Sequence, residues 1–186
     1  MINIIDVLFV ALLLIGMTAG FLQGVVRLGI AIVSLYVGII LSSLYFQLIG
    51  EWVRTQFAMN LDVAQIVTFG LLVVAATVVL VAAMSYTFHY YAHIPESAVI
   101  IDRGGGALLG FVWSCMALAL LAAVLSALFV YRNPAIVAEI QLARALQTQI
   151  RESGLVDYFV QNVLPLLHQS VRPLLPEAAG LIFQGQ

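Results

Sequence analysis

Charge is what this 186-residue chain has least of. Aspartate, glutamate and arginine together make up 9% of it, and lysine is absent, so all seven cations are arginines. A soluble domain carries about 25% charged residues. With 63% apolar residues and a mean hydropathy of +1.12, polar groups are too few to cover a water-facing surface. The net charge of −2 excludes a basic footprint for nucleic acid and a polybasic strip for anionic lipid. One cysteine, Cys115, excludes an intrachain disulfide. The N-terminus lacks the positive region of a secretory signal, and its apolar stretch is too long for one. The first apolar stretch is therefore expected to stay in the mature protein.

What is there in abundance is uninterrupted apolar sequence. A membrane-crossing helix needs about 20 such residues, at about 1.5 Å of rise each. Charge-free intervals run from Val7 to Val26, Leu28 to Gly50, Val63 to Pro95 and Gly104 to Tyr131. They are continuous rather than alternating, which indicates helices and not barrel strands. The expected fold is an all-α integral membrane protein, a bundle of four transmembrane helices in residues 1–132. The spans fall at about 4–25, 28–49, 64–88 and 105–131. Tyr45, Phe46, Trp52, Tyr86, Phe88, Tyr90, Tyr91, Phe129 and Tyr131 gather where interfaces are expected.

Residues 133–186 read as an amphipathic helical tail. Asn133-Pro134 forms a helix start, a first tail helix runs to Arg151, and Ser153-Gly154 stops it. From Leu155, apolar Val156, Phe159, Val160, Val163, Leu164 and Leu167 share one side, opposite Asp157, Gln161, Asn162, His168 and Arg172. Pro165 predicts a kink, and Pro173 and Pro176 an end. This segment is too polar to span, so it should lie in the interface or dock on the bundle.

Small residues recur every fourth position in three of the spans: Gly16, Gly20 and Gly24; Ser34, Gly38 and Ser42; Gly106, Gly110 and Ser114. Such stripes let helix backbones approach closely in lipid, so they mark helix-packing seams and suggest a homo-oligomer or a membrane-protein partner in the bilayer.

The polar residues cluster at helix ends. Asp6 precedes the first span. Gly24 and Arg27 lie between the first two. Asp102-Arg103-Gly104-Gly105-Gly106 opens the fourth, with Gly110 one turn on. Four crossings place the last two segments on one face of the membrane, within reach of an Asp102–Arg27 contact. In this order these residues resemble the colicin V production (CvpA) family, small four-span inner-membrane proteins. That family carries an aspartate before the first span, G-x-x-R-E after it and D-R-x-x-G-x-x-x-G at the fourth. Asp6, Gly24, Arg27, Asp102, Arg103, Gly106 and Gly110 match; Leu28 replaces the usual glutamate and Trp113-Ser114 a common arginine-glycine pair. The resemblance implies a multi-pass protein of the bacterial inner membrane, associated with toxin (colicin V) production or export and envelope homeostasis. It further implies extracytoplasmic N- and C-termini. Counting arginines leaves that orientation undecided.

No catalytic, cofactor or metal residues are expected. His89 and His93 are four apart with Glu96 following, but Pro95 intervenes and nothing completes the ligand set; an interfacial aromatic–histidine belt is the better reading. The Gly104–Gly106 run lacks the lysine and hydroxyl of a phosphate-binding loop. Ser34, Ser42 and Ser114 have no base at membrane depth to activate them. Span centres free of ionisable groups argue against a self-contained transporter. Two readings lead, a scaffold or accessory subunit and a homo-oligomeric channel, with a lipid- or phosphate-handling enzyme using Asp102 and Arg103 as a remote third.

Overall fold

The computed structural model describes residues 3–57, 60–89, 99–131 and 141–171, nearly all of them helical. The helices are α1 (Ile4–Phe57), α2 (Leu61–His89), α3 (Val99–Ser126), α4 (Gln141–Arg151), α5 (Gly154–Tyr158) and α6 (Leu164–Val171). A π-helical turn, Ala127–Tyr131, continues α3, and another, Phe159–Val163, joins α5 to α6. Three helices are long and apolar enough to cross a membrane: Ile4–Phe57, Leu61–Met84 and Ile100–Phe129.

The 54 residues of α1 do not form one rod. Gly24 sits at φ 80°, ψ 172°, a backbone region essentially closed to other residues, and it divides α1 into arms 4–23 and 25–57. Phe9 packs among Leu118, Ala119 and Ala122, whereas Ile39 packs among Met116 and Leu120. Along a straight helix Phe9 and Ile39 would lie about 45 Å apart. Both meet the same short stretch of α3 only because the chain reverses at Gly24. The connection expected over Gly24–Gly29 thus shrinks to a single residue, and Arg27 belongs to the first turn of the second arm. In the same way Asp102-Arg103-Gly104 lies inside α3 rather than before it, because the helix already runs from Val99.

The second arm pairs with α2. Gly38 lies against Thr77 and Val73, Gly50 against Gln65, and the Ser34 hydroxyl reaches Met84 Sδ at 3.9 Å. Asn60 starts α2 by accepting the Asp62 N–H on its side chain, at 3.2 Å. Outer faces are bare of cover: Leu22, Leu71 and Leu108 are 74%, 66% and 72% exposed. An apolar exterior of this extent over an already packed core is a lipid-facing one.

The tail from Gly154 docks on the bundle through Val156, Phe159, Leu164 and Leu167, all buried. Phe159 meets Phe9 edge-on at 5.8 Å, and Leu167 joins the cluster of Leu35, Ile39 and Met116. Pro165 does not break this helix. A proline removes the N–H that would bond four residues back; the helix nevertheless continues from Leu164 to Val171, after a π turn in which Leu164 N–H donates to Phe159 O. The predicted helix start at Pro134 and the stops at Pro173 and Pro176 lie outside the described residues.

Candidate functional site

Two of the three small-residue stripes singled out by the sequence meet along one seam. The first arm and α3 run antiparallel, and their small residues face one another. A Cβ on Gly16 would overlap the Ser114 hydroxyl. One on Gly20 would run into the Gly106 carbonyl, and one on Gly106 or Gly110 into the carbonyls of Gly20 or Gly16. Here backbone touches backbone, a distance that only glycine permits. The stripe on the second arm faces α2 instead, where Ser42 Oγ donates to Gly38 O at 2.7 Å. All three stripes are therefore occupied within one chain, so any self-association has to use other faces.

At one end of the seam lies Asp102. Its Oδ1 accepts the Val25 N–H at 2.9 Å, and the carboxylate occupies the space that a Cβ on Gly24 would fill. Val25 opens the second arm, whose first N–H groups have no partner within their own helix. Asp102 supplies one from a neighbouring helix, with the carboxylate charge placed favourably against the positive end of the helix dipole. A glycine at position 24 is thus required twice over, by its dihedrals and by the carboxylate beside it. Arg27 and Arg103 are exposed at this same end.

The opposite end repeats the device. Asp6 Oδ1 accepts the Ser153 hydroxyl at 2.6 Å and the Leu155 N–H at 3.1 Å, while Ser153 Oγ accepts the Val156 N–H at 3.1 Å. Ser153 is the N-cap of α5 and is 1% exposed, so the aspartate and serine together satisfy the first turn of the tail helix. Asn3 strengthens the joint: its amide donates to Gln149 O at 2.7 Å, and its carbonyl accepts the Ile5 N–H at 2.9 Å. Gln147 Nε2 donates to Phe129 O at 2.9 Å, taking up a carbonyl at the π turn. The sequence marked Asp6 and Asp102 but not their partners. Ser153 before Gly154 was the available signal for an N-cap; nothing local shows that a residue 147 positions away completes it.

Hydrogen bonds to charged groups contribute about 1.5–3 kcal/mol each. Asp6→Ala is accordingly expected to loosen the tail while the seam persists, with amide exchange over 154–160 rising about tenfold or more. Unchanged exchange in that segment would show that apolar contacts alone hold the tail.

Nothing in this arrangement supplies an activated nucleophile. The cavity of about 430 Å³ between α2 and α3 is lined by aliphatic side chains such as Leu71, Val74, Val78, Leu121 and Val124, with no titratable group. Among the described residues no three His, Cys, Asp or Glu side chains are grouped to hold a metal ion. His93 and Glu96 lie outside the described residues.

Compared with known proteins, no curated protein and no solved structure matches the chain. The family model described as colicin V production protein matches residues 5–165, a stretch holding both aspartate caps, the Gly24 reversal and the seam. On that match the chain belongs to the colicin V production protein family.

Proposed function

We propose that this protein is a non-enzymatic scaffold or accessory subunit of the inner membrane, serving toxin production or export and envelope homeostasis. In this reading the arms 4–23 and 25–57, α2 and α3 each cross the bilayer. Asp6 and the tail lie on the extracytoplasmic side, and Gly24, Arg27, Asp102 and Arg103 on the cytoplasmic side. The supporting observation is how the two motif aspartates are used. Each is committed to holding another helix by its N-terminus, which is an architectural task. The family is associated with colicin V production, and it is not a known enzyme family.

A scaffold has a partner, and a partner can be captured. The protein, extracted with its native lipid from toxin-producing cells, is expected to carry a defined membrane protein in fixed ratio. Toxin secretion should fall when the chain replaces the resident family member as the Asp102→Ala form. Unaltered secretion together with a partner-free monomer would sink the proposal. The second reading, a homo-oligomeric channel, draws on the polar outer face of the tail. Currents across planar bilayers from the purified protein would favour it over the scaffold.

A further inference from the structure

The cavity between α2 and α3 has the size of a ligand site and opens toward lipid. Both helices pack on α1 and scarcely on each other. They come near at Gly70, where a Cβ would lie 3.6 Å from a Val124 methyl. The space between them is backed by Leu35, a buried residue of the second arm. Leu71, Val74 and Val78 stand exposed in its wall, so in a bilayer the cleft opens sideways onto hydrocarbon. Its volume of about 430 Å³ falls within the range of about 300–1,000 Å³ that holds small molecules.

Two polar side chains interrupt this apolar wall, Thr77 and Trp113. The Thr77 hydroxyl lies beside Gly38. Trp113 Nε1–H is shielded from the outside and has no hydrogen-bond partner among the described residues. Buried polar groups are nearly always paired, because one left alone bears the full loss of its hydration. In the hydrocarbon no water is at hand to pair it. Trp113 stands near the middle of the apolar span Ile100–Phe129, about 20 Å along the helix from its nearer end. An indole N–H can only donate, so its complement is a molecule that brings an acceptor oxygen to that depth. Phospholipids keep their ester carbonyls by the headgroups, outside the hydrocarbon core. A charged acceptor is disfavoured there by desolvation. An uncharged apolar molecule with a carbonyl in its body meets both conditions.

We propose that the cleft between α2 and α3 is a binding site, entered from the bilayer, for an uncharged apolar molecule that carries a carbonyl oxygen into the hydrocarbon, as a lipid-soluble quinone does, with Trp113 Nε1–H as its donor. The proposal needs α2 and α3 to cross the bilayer and is independent of the scaffold reading.

Tryptophan emission tests it, because quinones quench an indole that they touch. The chain has two tryptophans, so Trp52→Phe leaves Trp113 as the reporter and Trp113→Phe leaves the exposed Trp52. Each full-length variant in nanodiscs is titrated with decylubiquinone. Trp113 emission is expected to fall along a saturating curve, and that of Trp52 only in proportion to the quinone present. Ala117→Phe, which fills the cleft, should abolish the saturation. In a separate measurement, Trp113→Phe protein purified from quinone-loaded membranes should retain about threefold to tenfold less decylubiquinone than wild type, the effect of one hydrogen bond. Dioctanoylglycerol, added as competitor, separates the sources of the carbonyl. Displacement at or below the quinone's own level would keep the site and make a glyceride ester its ligand. Proportional quenching of Trp113 would mean that protein closes the cleft, and undiminished retention by Trp113→Phe that the N–H plays no part. Either result overturns the proposal.

Discussion

A leucine at position 106 is expected to leave no monodisperse protein to purify, whereas a leucine at position 104 leaves the wild-type preparation unchanged. The two glycines are two residues apart in the same helix with the same run of neighbours. Around Gly104 a Cβ meets nothing within 4 Å. At Gly106 it meets the Gly20 carbonyl and, at 2.8 Å, the Gly24 Cα. Overpacking a core of side chains costs about 1–3 kcal/mol, because rotamers can shift. Backbone on both sides of the contact has no rotamer to change, so the first arm has to move off α3, taking the Gly24 reversal and the Asp102 cap with it. Size-exclusion profiles and thermal unfolding in detergent of the two variants check this. Equal behaviour of both would mean that the seam does not set the bundle.

The second large effect is a coupled one at the reversal. Gly24→Ala places a side chain in a glycine-only region of backbone space, at about 1–3 kcal/mol, and drives its methyl into the Asp102 carboxylate. Asp102→Ala removes a helix cap, at about 0.5–2 kcal/mol. Combined, the two are expected to cost less than their sum, since the second substitution clears the space that the first one needs. Residues in contact couple by about 0.5–3 kcal/mol, and the backbone strain remains in the double variant. Unfolding free energies of the four forms measure the cycle. Strict additivity would show that Asp102 does not contact residue 24, and the trans-cap would have to be given up.

The residues matching the family motif are explained by these two ends. In the sequence Asp6 and Asp102 are legible as acidic motif residues near span ends, without their partners. The Asp102 carboxylate accepts the Val25 N–H. That contact joins residues 77 positions apart and depends on the chain reversing at Gly24, which no local pattern of residues encodes. Hydropathy treats Val7 to Val26 and Leu28 to Gly50 as two stretches parted by one arginine, and it assigns the turn to a loop. A turn made by one glycine in a rare conformation, with helix on both sides, has no compositional signature. At Pro165 the structure adds a π turn, Phe159–Val163, directly ahead of the proline, with helix continuing to Val171.

The solvent, the helical class, the apolar stretches, the spacing of the small residues and the amphipathic division of the tail are all legible in the amino-acid order. All of these follow from composition and from the 3.6-residue period, which act over a few turns of chain. Which stripes meet, that they meet inside a single chain, and which helix each aspartate caps follow from the packing of the helices. Those outcomes depend on contacts between residues from 35 (Gly38 and Val73) to 149 (Asp6 and Leu155) positions apart, whose energies exist only once the helices are side by side. A glycine every four residues announces that some backbone will come close; which backbone it is, the packed bundle alone selects.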